Sequence, residues 1–125
     1  MTKVAIIRCE KNEERCPLTG CINCLMAGKE GFAEYQDAVP AGVFTCRCPG
    51  DNVANLAKIL KSKGAEAIHF CTCTFAAKTE NGWKMENGGF CDHVDALMEQ
   101  VHEATGLPCV KGSAHLPEGY VPEKL

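Results

Sequence analysis

GVFTCRCPGDNVANLAKILKSKGAEAIHF, residues 42–70, is the stretch from which the fold is read. It starts as an apolar, β-prone run and breaks at Cys48, Pro49 and Gly50. Asp51 then stands where a helix N-cap is wanted. Val53, Leu56, Ala57 and Leu60 follow at i, i+3, i+4 and i+7, which gives one buried helical face. Gly64 sits at the C-cap position, and residues 65–70 return to a strand-like run. A strand, a helix and a second strand in this order form a right-handed βαβ unit, so the two strands are parallel.

Working outward, KVAIIR over residues 3–8 is a continuous apolar run of the kind buried on both faces of a parallel sheet. The second strand covers residues 39–45 and begins after Pro40. Residues 9–23 are polar, contain Pro17 and Gly20, and read as a loop with a helical turn. A short helix is expected over 28–35, with Phe32 and Tyr35 on one face. Residues 76–89 read as a functional loop around Trp83. Asp92 is the expected N-cap of a further helix, with Asp95 as its capping-box partner; its other reading is as the partner that orients His93. Val94, Leu97, Met98 and Val101 form that helix's buried face, and Gly106 closes it. Residues 109–111 make a short fourth strand, and residues 115–125 an extended tail. The expected fold class is α/β: a single three-layer domain over residues 1–125, with about four mostly parallel strands, flavodoxin/Rossmann-like.

The chain has 125 residues, 46% of them hydrophobic, enough for one core without covalent staples. A net charge of −3 without a Lys/Arg cluster gives no footing for nucleic acid or an anionic membrane surface. No apolar run approaches the roughly 20 residues that cross a bilayer. Residues 4–7 are too short for a signal peptide and read as the first strand of a cytoplasmic protein.

Ten cysteines are the anomaly. With no export signal, clustered thiols read first as metal ligands, then as redox thiols, and only then as a disulfide framework. Residues two apart on a strand stand roughly 6.6 Å from each other along it, so Cys46 and Cys48, or Cys71 and Cys73, suit separate partners better than a mutual bond.

The topology gives these thiols a place. In open parallel sheets, ligands bind outside the carboxyl ends of the strands, where strand order reverses. Cys9, Cys46, Cys48, Cys71 and Cys73 all follow strand ends. Cys91 and His93 open the last helix at the same edge, and Ser113, Ala114 and His115 emerge there after the fourth strand.

Cys16-x4-Cys21-x2-Cys24 has the internal spacing of plant-type [2Fe–2S] ligands. Cys46 and Cys48 precede a helix N-terminus, where the dipole favours thiolate for a metal or for a nucleophile. Cys91 and His93 pair a soft ligand with an imidazole, suited to zinc or iron. His69 reads as a hydrogen-bonded core histidine, His102 as solvated and Cys109 as core. Cys71 belongs to the core or to a second site.

VAIIRCEKNEERCP, GVFTCRCPG, AIHFCTCT, CDH and GSAH, in this order over about residues 3–115, resemble the CGGC-domain family. These are small, cysteine-rich proteins described as metal-binding. By position the resemblance implies Cys9, Cys16, Cys21, Cys48, Cys73 and Cys91 as the family's thiols, with His115 near the end. The central motif departs from the pattern: Thr45, Cys46, Arg47 and Cys48 stand where the family has Cys-Gly-Gly-Cys.

The expectation is a metal-binding protein with a Cys/His site, for zinc or an iron–sulfur cluster, at the carboxyl ends of the strands. Its candidate ligands are Cys9, Cys16, Cys21, Cys24, Cys46, Cys48, Cys73, Cys91, His93 and His115. Two alternatives stand beside it: a thiol- or iron–sulfur-dependent oxidoreductase using Cys46 or Cys48, and a sensor module whose Trp83 loop orders on metal loading. The partner is a metal ion or cluster, with no nucleic acid and no membrane.

Overall fold

The computed structural model describes residues 2–86 and 88–125. Its sheet is built from β1 (Thr2–Cys9), β2 (Ala38–Cys46), β3 (Ala67–Phe70), β6 (Cys109–Lys111) and β7 (Glu123–Lys124), in the order β2-β1-β3-β6-β7. The first four strands are parallel, and β7 pairs antiparallel to β6. β4 (Ala77–Thr79) and β5 (Gly82–Lys84) form a separate antiparallel hairpin. The three α-helices are α1 (Thr19–Ala27), α2 (Val53–Ser62) and α3 (Val94–Thr105). No helix among the described residues is long and apolar enough to cross a membrane.

The apolar run in β1 explains the layering. Ala5 and Ile7 pack with Val53, Ala57 and Leu60 of α2 and with Leu97, Met98 and Val101 of α3. Val4 and Ile6, alternating to the other side, pack with Leu25 of α1 and with Phe32. Both faces of β1 are therefore covered, and residues 4–7 are at most 1% exposed. The periodic faces expected for α2 and α3 are the buried ones, with Leu56 only half-buried.

Several local expectations need correction. Residues 19–27, of which 19–23 were expected within a loop with a helical turn, form α1, while 28–35 holds only a 3₁₀ turn at Glu30–Phe32. Gly28 is the reason. It adopts φ +66° and its N–H reaches the carbonyls of Cys24 and Leu25, so it ends a helix where the sequence suggested a beginning.

The loop expected over 76–89 contains the β4–β5 hairpin, and its residue 87 lies outside the described residues, as does residue 1. The tail contributes β7, so the main sheet has five strands where about four were expected. β2 also starts earlier than expected, at Ala38. It takes in Pro40 because a register shift opens between Val4 and Ala5 of its partner, on an edge strand where a missing N–H is tolerated.

The helix caps move by one residue. Asn52 precedes α2 in place of Asp51, and its side chain is committed to the turn: Oδ1 accepts from the Arg47 N–H, and Nδ2 donates to the Thr45 carbonyl. His93 precedes α3 in place of Asp92. Lys63 ends α2 one residue before Gly64, while Gly106 closes α3 as expected.

Candidate functional site: two thiol groups at one sheet edge

Parallel pairing sets the site. Cys9 and Cys46 are Cα partners at the ends of β1 and β2. Beyond β3 the chain keeps its place, since the Cys71 N–H still donates to the Ile7 carbonyl at 3.1 Å. It then turns through a 3₁₀ segment, Thr72–Thr74. Cys71 and Cys73 are therefore joined by a turn and are not two positions of one extended strand. Both pack into the core layer under α1.

The segment that brings Cys91 follows alongside. The Phe90 N–H donates to the Cys73 carbonyl and the Cys91 N–H to the Thr74 carbonyl, each at 2.9 Å. From β6 the chain delivers Ser113, whose backbone N–H donates to Thr72 Oγ1 at 3.0 Å while its own Oγ accepts from the Thr72 N–H at 3.2 Å.

The thiols divide into two groups. An outer crevice of about 20 Å³ is lined by Cys9, Cys46, Cys48, Cys91 and His93, with apolar side chains between them. An inner cavity of about 550 Å³ is lined by Cys16, Cys21, Cys71, Cys73, Ser113 and His115, among others. Trp83 of β5 stacks on His115 at its rim, with centroids 5.2 Å apart and planes 6° from parallel. Cys24, half-buried on α1, lines neither space.

In the outer crevice Cys9, Cys46 and Cys91 are held protonated. Burial pushes Cys46 up to about 11, and the neighbouring Cys91, Cys9 and Cys48 add to the shift. Burial also raises Cys9 and Cys91. The activation expected for Cys46 from the following helix is thus outweighed. His93 faces two acceptors, the Pro49 carbonyl at 2.6 Å from Nε2 and Asp92 Oδ1 at 2.7 Å from Nδ1. The Pro49 carbonyl, then Asp92, raises its pKa. Asp92, expected as a cap, instead orients this histidine.

The inner cavity reverses the trend. Cys21 Sγ lies 4.0 Å from Cys71 Sγ and 3.1 Å from Ser113 Oγ. The hydrogen bond from Cys71, reinforced by Ser113 and the Ala114 N–H, lowers Cys21 to about 6 against the cost of burial. Cys71, fully buried, is raised well above the ordinary thiol value, chiefly because its proton serves Cys21 and Cys73. Cys73 is lowered, first by Cys71 and then by Asn12 and the Cys9 N–H.

The remaining histidines are structural. His69 is fully buried, and its Nδ1–H must donate to the Gly112 carbonyl at 2.8 Å, so Nε2 accepts from the Tyr35 hydroxyl at 2.8 Å. Burial lowers it to about 4. His102, expected to be solvated, is tied to the Leu107 carbonyl at 2.9 Å. Cys109 is core, raised to about 12 by burial alone.

All ten cysteines are free thiols. Two ligands of one tetrahedral zinc stand roughly 3.5–3.8 Å apart, given Zn–S of about 2.3 Å and Zn–N of about 2.0 Å. The Cys91 Sγ to His93 Nδ1 distance, 3.7 Å, falls in that range, and Cys21 to Cys71 at 4.0 Å is just beyond it. Among the described residues, no group of three or more Cys, His, Asp or Glu side chains converges as a set that could hold a metal ion. One Cys–His pair is spaced as two zinc ligands are, and no closed ligand set is formed among the described residues.

Cys71 and Ser113 were absent from the sequence-derived ligand set. The available signal was that Ser113 follows the fourth strand and must emerge beside Cys71.

The family model of the CGGC domain matches residues 3–114. An uncharacterized protein of Methanocaldococcus jannaschii is 42% identical over 80 residues, covering 58% of this chain and 62% of that protein. The chain therefore spans less than two thirds of that relative's length. No solved structure matches the chain.

Proposed function

The chain belongs to the CGGC-domain family, and from that premise we propose that it is a metal-binding protein. Its site is the outer crevice at the carboxyl ends of the parallel strands, and Cys9, Cys46, Cys48, Cys91 and His93 would hold the metal. The observation that carries this reading is that those five groups, from three separate segments, line one crevice. Buried thiols that raise one another's pKa are what a soft cation relieves, since it binds the thiolate form. The imidazole among the ligands favours zinc over an iron–sulfur cluster. Bound there, zinc would cross-link β1, β2 and the segment leading into α3.

We also read the order β2-β1-β3-β6, with α1 on one face and α2 and α3 on the other, as flavodoxin-like and as one domain. In that reading the crevice lies where the strand order reverses. The rival reading of Cys46 as an oxidoreductase nucleophile is weakened by its protonation at neutral pH.

Elemental analysis and the visible spectrum of anaerobically purified protein test the proposal. One zinc per chain, lost in Cys91→Ser and retained in Cys24→Ser, is the expected result. A brown protein absorbing near roughly 400 nm would assign iron–sulfur instead. Colourless protein holding neither zinc nor iron ends the proposal.

A further inference from the structure

The inner cavity raises a question that the metal reading leaves aside: why two buried thiols and a serine share one hydrogen-bond chain. Ser113 Oγ accepts from the Thr72 N–H and keeps its own proton to donate to Cys21, 3.1 Å away. Cys71 Sγ, 4.0 Å from Cys21 Sγ, can supply a second donor. Cys21 is in the first turn of α1, where the helix dipole favours an anion. Cys21 is thus arranged as a thiolate and Cys71 as the protonated thiol beside it, which is the division of roles that thiol–disulfide exchange requires. The lowered Cys21 and raised Cys71 described above agree with this assignment.

The space in front of the pair has the size of a small-molecule site, about 550 Å³. Among the described residues no Asp or Glu lines it, whereas Arg15 and Lys78 do, and Trp83 supplies a flat apolar wall. That lining suits an anionic organic molecule.

We propose that Cys21 and Cys71 form a second, redox-active site that reduces small anionic disulfides entering this cavity. Cys21 thiolate attacks one sulfur of the substrate disulfide, forming a mixed disulfide and releasing one thiolate. Cys71 then attacks the Cys21 sulfur, forming the Cys21–Cys71 disulfide and releasing the second thiolate, and its proton passes to a departing thiolate. Two electrons move from the protein dithiol to the substrate. An external dithiol restores the pair by the reverse exchange. The two sulfurs must close from 4.0 Å to the roughly 2.05 Å of a bond. This site is distinct from the outer crevice and does not depend on it.

The test uses the purified protein with its metal content measured, mixed anaerobically with one equivalent of dithiobis-nitrobenzoate, an aromatic dicarboxylate disulfide. A fast burst releasing both coloured thiolates is expected, with peptide mapping locating the new bond between Cys21 and Cys71. Bound metal should be unchanged. Cys71→Ser should stop after one thiolate with the adduct retained on Cys21, and Cys21→Ser should lose the burst. Dithiodipyridine, which lacks carboxylates, should react on the order of tenfold more slowly, relative to each reagent's rate with a free model thiol.

The wild-type peptide map needs no variant to fold, so it decides alone if the substitutions unfold the chain. A first bond elsewhere, such as Cys71–Cys73 or Cys46–Cys48, overturns the proposal. So does a burst that persists in Cys21→Ser. Stoichiometric metal release with the disulfide would also overturn it, by making the pair metal ligands. Failure to find any metal would sink the outer site and leave this result standing.

Discussion

His69 shows what a single buried side chain contributes. Its neutral tautomer is set by the Gly112 carbonyl on one nitrogen and the Tyr35 hydroxyl on the other, and a second proton would put a charge in a fully buried site. Its folded pKa of about 4 lies below the ordinary 6.5. Between those values the unfolded chain takes up a proton that the folded chain refuses, so stability is full above the unfolded value and falls as pH drops through the folded one. The loss amounts to about 3 kcal/mol at the acid end. Urea midpoints measured from neutral pH down to the folded pKa should fall accordingly. His69→Gln should start less stable and lose that part of the slope; an unchanged slope would mean other groups set it.

Gly50 is a second case at this scale. Its φ is +101°, and a Cβ there would meet Leu97 Cδ2 at 2.6 Å and Cys46 Sγ at 3.2 Å. Gly82 has a similar φ, +97°, but open space around it. Gly50→Ala should therefore destabilise by ~1–3 kcal/mol and lower zinc content, while Gly82→Ala shows the backbone strain alone. Equal losses in both variants would remove crowding from the explanation.

Among the elements, the legible ones were those with a period. α2 and α3 were readable because apolar residues at i, i+3, i+4 and i+7 coincide with buried faces. α1 was not, because it buries only Cys21 and Leu25 and contains a glycine, so thiols that serve as its core carried no hydrophobic signal. The cysteines after β1, β2 and β3 were legible as a set, since strand ends fix their position. Their division into two groups was not, because it depends on a 3₁₀ turn after β3 and on residues 89–91 packing beside it.

That packing is testable. A Cβ on Gly89 would collide with the backbone of Cys73, Thr74 and Phe75, including the Phe75 nitrogen at 2.6 Å. Gly89→Ala must push the segment away and strain the bonds from Phe90 and Cys91 to Cys73 and Thr74. We expect a cost of ~1–3 kcal/mol and weaker zinc binding through displaced Cys91, read by chemical denaturation and a zinc-chelator competition. Wild-type affinity in this variant would show that Cys91 is not a ligand.

At the scale of the whole molecule, the lowered Cys21 and the raised Cys46 and Cys109 give the fold opposite responses to pH, and the balance between them predicts how metal changes stability. Cys21, lowered to about 6, adds stability that is present above the ordinary thiol value and lost as pH falls through its folded value. Cys46 and Cys109, raised to about 11 and about 12, add stability present below the ordinary thiol value and lost as pH climbs through their folded values. With His69 acting on the acid side, the metal-free chain should be most stable between about neutral pH and the ordinary thiol pKa near 9, weakening on both sides. Zinc, if bound in the outer crevice as proposed, would change one limb selectively. It would hold Cys9, Cys46, Cys48 and Cys91 as thiolates, which would remove the alkaline penalty of Cys46 and leave that of buried Cys109. Protons would compete for the four thiolates and His93, so the acid limb would steepen. Thermal or urea unfolding of zinc-loaded and zinc-free protein across this pH range should therefore give a maximum displaced to higher pH on loading. Parallel curves would mean that zinc does not bind through these thiolates.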